Sequence, residues 1–266
     1  MKTVQANGVS INVHDEGTGT PILFVHGFPL DHSMWRGQLN SLVSEFRVIA
    51  PDLRGFGATT VTDGVVTMET HADDLAALLD ELGIEHSRKI ILCGLSMGGY
   101  IAWQFHRKYK DRLLGLILCD TRAIADSPEV VANRKKLAAT VLEHGTEPVA
   151  AAMMPNLFSA ASNENRQHTV ELTRQCLLAT SPQGIAAASL GMAERPDVTA
   201  DLPSIETPTL LIVGVEDRIS TVDEMRGIAD AMPNSEFFVV PEAGHMSPLE
   251  NPEAVNAAIR KFAARL

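Results

Sequence analysis

One serine in this chain sits in Gly94-Leu95-Ser96-Met97-Gly98-Gly99, a G-x-S-x-G pattern with one more glycine behind it. A serine hydroxyl is a weak nucleophile that needs a base, and the base needs an acid to orient it. Downstream, Gly214-Val215-Glu216-Asp217 and Ala243-Gly244-His245 supply both, in the chain order Ser, Asp, His. The chemistry these types support is nucleophilic acyl transfer. Ser96 attacks a carbonyl, His245 takes its proton, and Asp217 holds the imidazole. Glu216, beside Asp217, and Asp120, in Cys119-Asp120-Thr121-Arg122, stand as alternatives for the acid. A tetrahedral intermediate also needs donors for its oxyanion. Met97 follows the serine at a helix start, and Phe28 lies in Val25-His26-Gly27-Phe28-Pro29; their backbone N–H groups are the expected pair. His26 reads as structural, holding its loop.

Regular elements must deliver these residues to one place. Short apolar runs at 22–25, 48–50, 90–93, 116–119, 210–213 and 237–240 read as strands covered on both faces. Apolar residues at helical spacing lie between most of them: Trp35, Leu39, Leu42 and Phe46; His71, Leu75, Leu78 and Leu82; Ile101, Phe105 and Tyr109; Val255, Ile259 and Phe262. Strands alternating with helices predict a mostly parallel sheet with helices on both faces. Phe28, Ser96, Asp217 and His245 each follow the C-terminal end of a predicted strand. They therefore share one rim, where open α/β sheets bind ligands. Asn7-Gly8, between alternating apolar residues, predicts a hairpin.

Between Asp120 and the run at 210, about ninety residues show helical pattern and no strand signal. Helices are expected at 128–143, 148–154, 163–178 and 182–192, forming a cap. The expected organisation is a core of 1–122 and 203–266 with a helical cap over 123–202. The cap offers Met153, Met154, Leu157, Phe158, Leu190 and Met192 as an apolar pocket, each equally able to be plain core packing. The ring of Phe28 would line the same pocket. Arg122 is a candidate for a substrate carboxylate, against the competing expectation of a salt bridge.

Length and composition narrow the class. The 266 residues are 45% hydrophobic and 21% charged, which excludes collagen-like and disordered readings. Basic residues number 22 and acidic ones 33, for a net charge of −11, and no basic cluster occurs. That argues against nucleic acid or an anionic membrane as partner. No apolar run reaches the roughly 18 residues of a membrane span, and the first residues carry no signal-peptide pattern. Cys93, Cys119 and Cys176 form no CxxC pair and read as buried thiols in a reducing compartment. A cytoplasmic enzyme without cofactor or metal is expected, since no HxH or HExxH occurs.

Taken together, His26-Gly27-Phe28-Pro29, Pro51-Asp52-Leu53-Arg54-Gly55-Phe56-Gly57, the 94–99 turn, Gly214 to Asp217 and Ala243-Gly244-His245 resemble the α/β-hydrolase family over nearly the whole chain. The resemblance implies an eight-stranded, mostly parallel sheet, a helical cap after the sixth strand, and Ser96, Asp217 and His245 as catalytic triad. His26-Gly27-Phe28-Pro29-Leu30-Asp31 and the short cap look most like bacterial esterases and lactonases such as 3-oxoadipate enol-lactonases. The expected activity is hydrolysis of small carboxylic esters or lactones. Alternatives with the same triad are a C–C bond hydrolase, a cofactor-free perhydrolase and a slow-turnover ligand receptor. Epoxide hydrolases and haloalkane dehalogenases of this fold attack with an aspartate, where this chain has Ser96.

Overall fold

A computed structural model describes residues 1–266. Eight strands form one sheet: β1 (Lys2–Ala6), β2 (Val9–Glu16), β3 (Pro21–Val25), β4 (Arg47–Pro51), β5 (Ile90–Leu95), β6 (Leu113–Cys119), β7 (Thr209–Gly214) and β8 (Ser235–Val240). Their order is β1-β2-β4-β3-β5-β6-β7-β8. Only β1/β2 and β2/β4 are antiparallel; every pairing from β4 to β8 is parallel. The β1–β2 hairpin turns at Asn7 (φ 46) and Gly8 (φ 76), two left-handed residues whose twist matches the strands they join.

Successive residues of a strand face opposite sides of the sheet, and the core divides accordingly. Leu23, Val25, Ile90 and Leu92 enter one apolar cluster, while Ile22, Phe24, Ile91 and Cys93 enter the other. The first face is covered by α2 (Met68–Glu81), α3 (Met97–Tyr109) and α9 (Val222–Ala231), the second by α1 (Arg36–Leu42) and α11 (Pro252–Ala263). A four-residue helix, α10 (Ser247–Glu250), precedes α11. The run at 237–240 departs from the expected two-sided burial. As β8 it is the sheet edge, and five of its six residues are only half-buried. Arg226 of α9 covers the exposed side of Phe237, its guanidinium carbon 4.5 Å from the ring centre.

The chain between β6 and β7 is helical: α4 (Pro128–His144), α5 (Glu147–Leu157), α6 (Ala160–Asn165), α7 (Gln167–Ala179) and α8 (Pro182–Ala193). One helix was expected over 163–178, and two occur. Ser159 accepts a hydrogen bond from Ser162 N–H at 3.1 Å and starts α6 early; the chain then breaks at Arg166 before α7. α5 also runs one turn past the expected end at 154, with Pro155 inside its last turn. Asp126 pairs with both Arg134 and Arg195 within the insert. The insert meets the core where Arg195 lies 4.3 Å above the ring of Tyr100 of α3 and where Thr180 Oγ1 donates to Pro29 O, in the loop after β3, at 3.0 Å.

On α2, His71 is fully buried and neither ring nitrogen has a hydrogen-bond partner. Burial, with His26 and Arg54 nearby, pushes its pKa down to about 3. The unfolded chain takes up the proton near the free imidazole value of roughly 6.5. Between those values the unfolded state binds more protons, so this contribution to stability is present above the unfolded pKa and is lost as pH falls. Its slope is at most about 1.4 kcal/mol per pH unit. Replacing His71 with Met is expected to flatten the fall in Tm between about pH 6.5 and pH 4. Equal slopes for wild type and variant would assign the acid sensitivity to other groups.

Candidate active site

At the end of β5 the chain must reverse into α3 with almost no room. Ser96 makes the turn at φ 53, ψ −110, left-handed territory that costs a non-glycine residue about 1–3 kcal/mol. Its backbone is pinned on both sides by the end of β6: Ser96 N–H donates to Cys119 O at 2.9 Å, and Thr121 Oγ1 donates to Ser96 O at 2.8 Å. The flanking glycines are needed for close approach. A Cβ on Gly94 would stand 2.3 Å from Gly98 O, and one on Gly98 would stand 2.2 Å from Val25 O. From Ile90 to Phe105, Ser96 alone is not buried. Its Oγ makes no hydrogen bond within the protein, and the N-terminus of the 13-residue α3 lies directly behind it.

The loop after β7 carries Asp217 and the loop after β8 carries His245. Asp217 Oδ2 accepts from His245 Nδ1 at 2.9 Å, while Oδ1 accepts from Ile219 N–H at 2.7 Å and Ser220 N–H at 3.1 Å. An ionised carboxylate only accepts, so the imidazole proton sits on Nδ1 and Nε2 is left basic. Both side chains are buried, 6% and 3% exposed, so solvent does not compete for the bond. Of the three acids considered from sequence, Asp217 alone is bonded to His245. Glu216 Oε2 accepts from Ala160 N–H of the insert at 3.2 Å. Asp120 is bonded to Gly214 N–H and Ser247 Oγ instead.

The two expected oxyanion donors are in keeping with that role. Phe28 N–H, in the loop after β3, finds no acceptor in the fold, and Met97 N–H, first in its helix, has none within it. His26 is structural: its Nε2 accepts from Leu53 N–H at 3.0 Å, and Nδ1 faces Gly27 O at 3.0 Å. Burial pushes its pKa down, which keeps the ring neutral and able to accept. The Phe28 ring is half-buried and meets Phe56 edge-on, with centroids 6.3 Å apart.

The substrate-contact candidates divide. Arg122 is not free for a ligand carboxylate: Glu224 holds its Nε at 2.8 Å and its Nη2 at 2.9 Å. Met192 and Phe158 are buried within the two apolar clusters, whereas Met153, Met154 and Leu190 remain half-buried at the edge of theirs. A surface cavity of about 850 Å³ lies at the other end of the sheet, lined by Lys89, His106 and Thr207 before the strands begin, so it plays no part in this site. Asp31, His32 and Asp52 place potential metal-ligand atoms within 4.8 Å of one another. Those atoms are already engaged, Asp52 by His32, Asn12 and Ala58, and Asp31 by Ser33 N–H.

One supporting residue escaped the sequence reading. Glu250 Oε1 accepts from Gly244 N–H at 2.8 Å and Met246 N–H at 3.2 Å, the two amides flanking His245, and Oε2 accepts from Ser159 N–H of the insert at 2.8 Å. The only sequence signal is an acidic residue in an apolar stretch five positions past the histidine. An amide cannot accept at both ends, so Glu250→Gln leaves at least one buried N–H unpaired. It is expected to lower stability by about 1–3 kcal/mol in urea unfolding and to reduce turnover. A neutral effect on both would show that solvent replaces the lost acceptor.

This geometry agrees with what the chain is similar to. The α/β hydrolase family profile matches residues 22–258. The structure superimposes on a thermophilic esterase from Thermogutta terrifontis with a TM-score of 0.96 and 49% identity, covering 99% of this chain and 98% of that one. It superimposes on the enol-lactonase from Burkholderia xenovorans with a TM-score of 0.91 and 27% identity, covering 99% and 100%. In sequence it is 28% identical to 3-oxoadipate enol-lactonase 2 of Acinetobacter baylyi over 265 residues, 99% of this chain and 96% of that one. With an eight-stranded sheet of this order and a strained serine at its central strand, the chain belongs to the α/β hydrolase family.

Proposed function

We propose that the protein is a serine hydrolase of small carboxylic esters or lactones, working through an acyl-enzyme on Ser96. The observation that carries this is the buried Asp217–His245 hydrogen bond on the same strand rim as the strained, partly exposed Ser96. The bond fixes the tautomer, so Nε2 is available to a hydroxyl.

As the Ser96 Oγ–carbon bond forms, the hydroxyl proton passes to His245 Nε2 and the carbonyl π pair moves onto oxygen. The N–H groups of Phe28 and Met97 receive that oxyanion. Collapse restores the carbonyl and breaks the bond to the alcohol oxygen, which takes the proton from Nε2. In the second half, water gives a proton to Nε2 and its oxygen attacks the acyl carbon. Collapse returns the proton to Ser96 Oγ and frees the acid. A lactone follows the same course, except that its alcohol stays tethered to the acyl group and leaves with it as a hydroxy acid in the second half. Asp217 stays ionised throughout and stabilises the imidazolium.

The insert acts as a cap in this reading, with Met153, Met154 and Leu190 providing an adaptable apolar wall for the acyl group. The esterase and lactonase names among the relatives support the substrate class. Hydrolysis of p-nitrophenyl acetate, butyrate and octanoate tests it. Ser96→Ala and Asp217→Asn are each expected to lower kcat on the order of 10⁴-fold, with the folded state intact. Activity that persists in Ser96→Ala would remove the serine from the mechanism.

A further inference from the structure

The end of β6 does more than close a strand. Cys119, Asp120 and Thr121 reach all three loops of the site. Cys119 O and Thr121 Oγ1 hold the two backbone groups of Ser96. Between them, Asp120 is fully buried at φ 48, a second left-handed non-glycine residue next to the first. That backbone turn sends its side chain under the neighbouring strand ends. Its N–H donates to Ile212 O of β7 at 2.9 Å, and its Oδ1 accepts from Gly214 N–H at 2.8 Å, at the root of the Asp217 loop. Oδ2 is hydrogen-bonded to the hydroxyl of Ser247, two residues past His245 and first in α10. Ser247 is fully buried, so no water stands in for this link.

We propose that Asp120 is a positioning residue: its carboxyl ties the root of the Asp217 loop to the helix after His245, and so sets the acid–base pair against the Ser96 turn that its own chain neighbours hold. The inference rests on the acyl-transfer reading given above. Asp217 must stay ionised to orient the imidazole, and a second negative charge beside it would favour its protonation. Burial and the Asp217 charge push the Asp120 carboxyl well above the ordinary carboxylate range. Held neutral, Asp120 keeps Oδ1 as acceptor for Gly214 N–H and carries its proton in the Oδ2–Ser247 Oγ bond, so an amide of the same shape, whose nitrogen donates to Ser247 Oγ, should replace it.

The test compares wild type with Asp120→Ala, Asp120→Asn and Ser247→Ala in two measurements. The first is the rate of covalent labelling of Ser96 by a fluorophosphonate, which reads nucleophile activation without a chosen ester. The second is kcat and KM on p-nitrophenyl acetate. Asp120→Ala should label and turn over roughly 10- to 100-fold more slowly with KM within about twofold, since a small misplacement of the base lowers kcat and spares binding. Asp120→Asn should keep at least about a third of the wild-type rate, and Ser247→Ala should lose roughly 3- to 10-fold. Ser247→Ala removes one hydroxyl, and its melting curve confirms a native fold should Asp120→Ala not yield soluble protein. Wild-type labelling rates in both Asp120→Ala and Ser247→Ala would overturn the positioning role. A loss in Asp120→Asn as deep as in Asp120→Ala would overturn the neutral link. A wild type that takes no label on Ser96 would instead overturn the acyl-transfer reading, and this proposal with it.

Discussion

The structure depends on holding one serine in a backbone conformation that serine disfavours. At φ 53 Ser96 sits between a fully buried strand and a buried helix, and the turn exists because nothing protrudes at Gly94 or Gly98. The strain of about 1–3 kcal/mol is offset by hydrogen bonds from the end of β6 and by packing on both sheet faces. In return the hydroxyl stands clear of the sheet at a helix N-terminus, where N–H groups are unpaired. A relaxed backbone at this point would turn the side chain into the core.

A second constraint is the tautomer of His245. A single 2.9 Å bond to a carboxylate that is itself held by two amides determines which nitrogen is basic. The loops bearing the pair are held from two sides by buried carboxyl groups. Glu250 holds the amides beside His245 and reaches the insert, and Asp120 reaches Gly214 and Ser247. Buried polar networks of this kind lower mobility because each lost partner leaves a costly orphan. The histidine therefore sits on loops and yet is placed as firmly as on a strand.

The sheet and the shared rim were legible because their signals are local. Apolar runs of three or four residues mark strands covered on both faces, and the loop after each run marks the rim. The Gly94 to Gly99 turn was legible because close backbone approach leaves glycine little alternative. What escaped was either shared between distant segments or decided by sheet position. Glu250 bonds Ser159 across 91 residues and Asp120 bonds Ser247 across 127, and no local pattern records such a partner. For Arg122 a salt bridge is already the competing expectation, but its partner, Glu224 on α9, lies 102 residues away and is named only by the fold. The half-exposed β8 has the composition of a central strand, and only the strand order shows it at the edge. Within the insert, one serine cap divided what periodicity joined.

The central claim is that the Ser96 oxygen carries the acyl group between two half-reactions. It is tested most directly by mixing stoichiometric enzyme with p-nitrophenyl acetate, timing p-nitrophenolate release, and quenching in acid for peptide mass analysis. The account predicts an initial burst that approaches one equivalent per chain when deacylation is slower than acylation, with the acetyl group on the peptide containing Ser96. Turnover that persists in Ser96→Ala, or a burst whose acetyl group lies on another residue, would contradict it.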